Sequence, residues 1–131
     1  MAEALKKLQT PDERERKMHL VLPDFASRFG ITLTERELEL AFKAARDRAF
    51  TNKETEAIGR AVCYASMIRN GDPDGALKRF NFMAVDPEIK EKHGPNFDKA
   101  VLAEMKRLDQ GAAEELSKRL TKGKEKVAIR D

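Results

Sequence analysis

The chain has one cysteine, no tryptophan and few aromatic residues, which make up 6% of its 131 residues. A single cysteine cannot form a disulfide within the chain, and it excludes a zinc site built from several cysteines. Cys63 lies in the apolar helical stretch 61–65. We therefore interpret it as a small buried side chain rather than a reactive thiol.

Long apolar runs are also missing. No segment approaches the roughly 20 apolar residues that a membrane-spanning helix needs. The stretch Met1–Lys7 lacks the apolar core of a signal peptide. We therefore expect a soluble, cytoplasmic protein that makes no contact with membranes.

Charged residues, in contrast, are plentiful and unevenly placed. They make up 37% of the chain, against about 25% in an average protein. The net charge is +3, and the last 14 residues carry six bases and two acids, so the preceding part sums to −1. Apolar residues gather in periodic segments, which indicates a folded domain rather than disorder.

Helix starts recur along the chain, whereas signals for strands are weak. Thr34 and Glu37 form a capping box, and Asp86-Pro87 and Asn96 are further caps. The sequence predicts an all-α fold: a compact single-domain bundle of five to seven helices over 1–120, followed by a flexible basic tail over 121–131. A helix over about 52–69, apolar around most of its circumference, should lie at the centre.

Two boundaries are predicted from local signals. Pro23 should end a helix begun at Thr10-Pro11 and open a short one from Asp24 to Phe29. A short helix from Gly75 to Phe80 should be followed by an extended step that returns both Phe80 and Phe82 to the core.

The turn-forming run 70–75 partly resembles a helix–loop–helix calcium site. Asn70, Asp72 and Asp74 fall at ligand positions, and Gly75 falls at the sharp turn. The twelfth position, however, holds Asn81 instead of a bidentate glutamate. We interpret the run as a helix C-cap followed by an Asp-capped helix start, and expect no metal and no cofactor.

Catalytic patterns are scarce. His19 and His93 lie in different segments, and neither a phosphate-binding loop nor a nucleophile elbow is present. A helix-turn-helix over 25–40 would place an acidic helix against phosphates, which would repel it. A small enzyme or a degenerate calcium-loop protein remains a third alternative, without an evident small-molecule substrate.

The sequence therefore favours a non-enzymatic binding or regulatory module, an adaptor, regulator or inhibitor, that acts through a protein partner or as a homodimer. The predicted partner surface is an apolar stripe whose other interpretation is ordinary core. It comprises Phe97, Val101, Met105, Leu108, Leu116 and Leu120.

The alternative is a nucleic-acid accessory protein that uses its basic C-terminal segment. Clustered cations on a mobile segment bind phosphates without sequence preference, although no aromatic residue lies among them to stack on bases. The candidate residues are Lys118, Arg119, Lys122, Lys124, Lys126 and Arg130.

Overall fold

The computed structural model describes the backbone of residues 10–130 and the side chains of residues 10–121. Within these residues the chain forms seven helices and no strand. They are α1 (Pro11–Phe29), α2 (Glu35–Arg48), α3 (Asn52–Arg69), α4 (Pro73–Val85), α5 (Pro87–His93), α6 (Phe97–Leu108) and α7 (Gln110–Arg130). The predicted all-α fold is confirmed. The flexibility of 121–131 stays a prediction, because the side chains after Thr121 lie outside the described residues.

The predicted caps fix most helix boundaries. The Thr34 hydroxyl accepts a hydrogen bond from the Glu37 backbone N–H at 3.2 Å, and the Glu37 carboxylate accepts one from the Thr34 N–H at 2.8 Å. Asp72 and Asp86 accept backbone N–H bonds at the starts of α4 and α5. These bonds satisfy donors that would otherwise have no partner at a helix N-terminus.

Helix α3 lies at the centre, as its apolar circumference predicts. It packs against α1, α2, α4, α6 and α7. Ile58, Val62 and Cys63 join a core cluster with α1 and α2, whereas Ala61 and Tyr64 join a second cluster with α4, α6 and α7. One helix thus separates, and is buried by, two apolar cores.

The predicted break at Pro23 is wrong, because α1 continues through it as one helix. Pro23 is exposed, so the carbonyl that loses its helical partner can bind water instead. Met18, Leu22 and Phe25 lie on both sides of the proline and are all buried. Burial of this shared face favours a continuous helix more than the proline disfavours it.

The predicted extended step at Asn81 is also wrong. Helix α4 runs on to Val85, and it buries Phe80 but leaves Phe82 68% exposed. Residues two apart on a helix point in nearly opposite directions. Phe82 therefore faces solvent because Phe80 faces the core.

Gly30 ends α1 in the left-handed conformation, with φ of 67°. A Cβ added there would meet nothing within 4 Å, so only backbone strain opposes a side chain. We predict that Gly30→Ala lowers the free energy of unfolding by about 1 kcal/mol. Gly30→Asn should cost less, because asparagine tolerates this conformation better. Urea denaturation of the three proteins measures both effects, and an alanine variant as stable as the wild type would contradict the prediction.

Candidate functional site

A groove crosses the face of the bundle where α3 is not covered by another helix. Its floor is α3, one wall is the second half of α1, and the other wall is α4 with α5. Two adjoining clefts of about 570 Å³ each make up the groove. Both are lined by Arg28, Arg60, Asp86 and Ile89.

The α3 side chains on the floor have helical spacing. Glu56, Arg60 and Tyr64 are four residues apart, and Met67 follows three residues later, so all lie on one face. Gly59 lets α1 approach α3 closely, because a Cβ there would lie 3.0 Å from the Phe25 ring. We call the end around Tyr64 and Met67 the aromatic cleft and the end around Glu56 the acidic cleft.

A continuous array of rings includes Phe29 and Tyr64 of the aromatic cleft and Phe25 of the acidic cleft. Phe25 stacks on Phe29 with ring centroids 6.0 Å apart, and Phe29 stacks on Tyr64 at 5.6 Å. Tyr64 then meets Phe80 edge to face at 6.3 Å. Aromatic pairs in these geometries contribute about 0.5–1.5 kcal/mol each beyond their buried area. The array therefore joins α1, α3 and α4 into a rigid base.

Three arginines lie over these rings. The guanidinium carbon of Arg60 is 5.0 Å from the Phe25 centroid, that of Arg28 is 5.8 Å from the same ring, and that of Arg79 is 4.8 Å from Phe29. These are cation–π distances. The rings thus hold guanidinium groups in place at the surface of the groove.

The three arginines differ in their other partners. Arg28 pairs with Asp24 at 2.6 Å. Arg60 donates from Nη1 to the Tyr64 hydroxyl at 3.2 Å, but its Nε is inaccessible and has no hydrogen-bond partner. Among residues 10–121, neither Arg60 nor Arg79 forms an ion pair.

The acidic cleft has the opposite arrangement, because its central carboxylate is fully engaged. Glu56 accepts from Lys92 at 3.1 Å, and its other oxygen lies 2.7 Å from Nε2 of the buried His93. The His93 ring stacks on Phe97 at 4.6 Å. Burial raises the pKa of the Glu56 carboxyl, but Lys92 and His93 together outweigh burial and hold that pKa below its ordinary value of 4.5.

The stripe predicted as a partner surface belongs to the core. Phe97, Val101, Met105 and Leu116 are at most 2% exposed, and Leu108 and Leu120 pack partly buried against the cores. The interpretation as ordinary core therefore holds for the four buried residues. A partner could not reach them without opening the bundle.

Only part of the basic segment can be located. Lys118 is exposed, whereas Arg119 binds Asp74 of α4 at 2.6 Å and Glu115 at 3.0 Å. Arg119 therefore fastens α7 to α4 rather than extending into solvent. The side chains of the remaining candidates, Lys122, Lys124, Lys126 and Arg130, lie outside the described residues.

The turn run is built as the capping interpretation predicts. Asn70 ends α3, and the Asp72 carboxylate accepts from the Gly75 N–H at 3.0 Å to begin α4. Asp74 is held by Arg119. The Asp72 and Asp74 carboxylates thus already have protein partners, and the Asn70 side chain donates from Nδ2 to the Ser66 hydroxyl at 3.2 Å.

The potential nucleophile and the histidines lie apart from one another. Cys63 is fully buried, and burial raises the pKa of its thiol to about 12, so it is protonated near neutral pH. His19 stacks on Phe42 at 3.6 Å, and His93 binds Glu56. Within residues 10–121, no three His, Cys, Asp or Glu side chains come close enough to hold a metal ion.

Sequence reasoning did not predict the groove, although one signal for it was present. Arg60 is the only charged residue in the apolar stretch from Ala57 to Ile68. A charged side chain on an otherwise buried helix marks where that helix meets solvent. Phe82 gave no comparable signal, because its orientation depends on α4 continuing past Phe80. Arg79 gave none either, because it follows another charged residue, Lys78, in a short predicted helix.

Comparisons with protein-family models, with curated proteins and with solved structures found no match to this chain. In the described part of the chain, every helix is too short or too polar to cross a membrane.

The ion pair of Glu56 predicts a pH-dependent stability. Because its folded-state pKa is depressed, its contribution is complete above the unfolded value near 4.5 and is lost as pH falls through the lower folded value. We expect Glu56→Gln to lower the free energy of unfolding by about 1–2 kcal/mol at pH 7, and the gap to the wild type to narrow at pH 3. Urea denaturation of both proteins at pH 7 and pH 3 measures the difference in free energy of unfolding.

Glu88→Gln is the matched control for this prediction. Glu88 lines the same cleft but is exposed and forms no ion pair among the described residues. Its replacement should change stability little at either pH. An equal loss in both variants, or a gap for Glu56→Gln that does not depend on pH, would contradict the prediction.

Proposed function

We propose that the protein is a non-enzymatic binding module that acts through a protein partner, and that the partner inserts an amphipathic helix into the groove. The observation that carries this proposal is the exposed apolar rim of the groove. Phe82 and Val85 on α4 are 68% and 67% exposed, and Leu20 on α1 is 75% exposed. Large apolar side chains left in water next to a concave surface are typical of interaction sites.

The location of these residues supports the proposal further. Phe82 lines the aromatic cleft and Leu20 lines the acidic cleft, so the rim flanks both ends of the groove. Val85 is three residues from Phe82 and shares its face of α4. A groove between two helices that has exposed apolar side chains at its edges can accept the apolar face of a third helix.

Other exposed apolar residues do not form such a set. Phe50 lies under the Arg14 guanidinium, 4.4 Å from its ring centroid, and therefore already has a partner. Leu40 on α2 is only 40% exposed and lies outside the groove. Leu40 is thus a suitable control for the rim.

The charge distribution favours a partner helix with acidic residues. Four basic and two acidic side chains line the aromatic cleft. The two acids, Asp72 and Asp86, accept backbone N–H bonds at helix starts, so their oxygens are partly engaged. The described cations at this end have fewer partners than the anions, which favours an anionic ligand.

We predict that Phe82→Ser weakens binding of the partner about tenfold or more, because truncating an aromatic anchor removes a large share of interface energy. The partner is captured by the wild-type protein from a lysate of the source organism, identified, expressed and purified. Its dissociation constant is then measured by titration calorimetry against the wild type, Phe82→Ser and Leu40→Ser.

Leu40→Ser should bind like the wild type, since both replacements remove an exposed apolar side chain from a helix surface. Equal affinity of all three proteins would refute the groove as the docking surface. Sedimentation analysis tests a second copy as the occupant. A dimer that Phe82→Ser dissociates would replace the proposed partner with self-association.

A further inference from the structure

We infer that Arg60 and Arg79 select a partner segment that carries an acidic side chain next to its apolar anchors. This inference rests on the proposed function and specifies the chemistry of the partner. It starts from the guanidinium groups of Arg60 and Arg79, neither of which forms an ion pair among residues 10–121. Both residues line the aromatic cleft, where a carboxylate of a ligand can pair with them.

The arginines are held with donors available. In Arg60 and Arg79, a guanidinium group lies over an aromatic ring, and among residues 10–121 only one of their donors, Nη1 of Arg60, has an acceptor. A guanidinium that stacks through its face keeps its edges for planar, two-point hydrogen bonding to a carboxylate. Because the rings fix the two groups in advance, less entropy is lost when the ligand binds.

The surrounding charges favour a carboxylate at this end of the groove. The side chains lining the aromatic cleft carry a net charge of +2, which includes Lys78 beside Arg79. The side chains lining the acidic cleft carry a net charge of −1. The net charge therefore changes sign along the groove. An acidic group is attracted to the aromatic cleft and repelled from the acidic cleft.

This charge distribution argues against two other occupants of the groove, a nucleic-acid strand and a terminal segment of the chain itself. A nucleic-acid strand along the groove would place phosphates against Asp24, Glu56 and Glu88 at the acidic cleft. The terminal segments of the chain are basic in sequence, with Lys6 and Lys7 at one end and the excess of lysine and arginine after Ser117 at the other. Neither supplies the negative charge that the arginines favour. An acidic segment of a separate protein does.

The experiment uses a displayed library of random 16-residue peptides selected on the full-length protein. We expect enriched peptides to combine aromatic or aliphatic residues with Asp or Glu within one helical turn. The most enriched peptide is synthesised together with an analogue in which every Asp and Glu is replaced by its amide. The analogue should bind the wild type about tenfold more weakly, as measured by fluorescence anisotropy.

A double-mutant cycle assigns that loss to the arginines. Arg60→Gln and Arg79→Gln should each weaken the acidic peptide about tenfold and leave the amide analogue nearly unchanged. Arg36→Gln is the matched control, because Arg36 is exposed on α2 and outside the groove. Circular dichroism melting curves confirm that each variant is folded. If Arg60→Gln is not folded, Arg79→Gln alone decides the test.

The outcomes separate this inference from the proposed function. Enriched peptides that lack acids, or an amide analogue that binds equally well, would overturn the inference alone, provided that Phe82→Ser still abolishes binding. Failure of any peptide to enrich, with no effect of Phe82→Ser on the captured partner, would overturn both. Binding of a 20-nucleotide single strand that Arg79→Gln abolishes would also overturn it, since phosphate would then be the selected group.

Discussion

The enclosure of α3 is the constraint on which the rest of the structure depends. A helix that is apolar around most of its circumference is stable only when other helices cover it, and five of them do. Its side chains belong to two separate cores. Helices α1 and α2 pack on one side of α3, and α4, α6 and α7 pack on the other. Two groups of helices around one axis leave a gap between them. The groove is that gap, and its position follows from the one charged residue in the apolar part of α3, Arg60.

The groove differs from the rest of the surface in how its charges are paired. Elsewhere, ion pairs join helices across the bundle: Arg48 with the largely buried Glu104 at 2.5 Å, Arg69 with Asp109, and Arg119 with Asp74. In the Arg48–Glu104 pair both side chains are largely withdrawn from solvent, and such a pair is screened less than an exposed one. Arg60 and Arg79 are instead held by aromatic rings, which restrain their position without neutralising their charge.

The sequence predicts the fold well because its helix starts carry their own chemistry. Local hydrogen bonds that need no tertiary contact join Thr34 to Glu37, the Glu88 N–H to Asp86, and the Gly75 N–H to Asp72. Local signals gave the wrong helix boundaries where burial of a helix face against other helices determines whether the helix continues. Pro23 is tolerated because Leu22 and Phe25 are buried on both sides of it, and Phe82 points outward because α4 continues as a helix beyond Phe80. The candidate site depends on that continuation, so no count of residues along the chain could have located it.

The same reasoning explains why the apolar stripe of α6, expected as a possible partner surface, is core, whereas Phe82, expected in the core, is exposed. Apolar residues spaced three and four apart indicate only that one face of a helix is apolar. Whether that face lies in the core or at an interface depends on whether other helices of the bundle pack against it. Phe97, Val101 and Met105 lie opposite α3, the helix with the greatest need for cover, and they become core. Phe82 and Val85 lie on the exposed side of α4 and remain in water. A partner can contact only the apolar surface that packing around α3 leaves exposed. Phe82 is such a residue, and it lines the same cleft as Arg60 and Arg79.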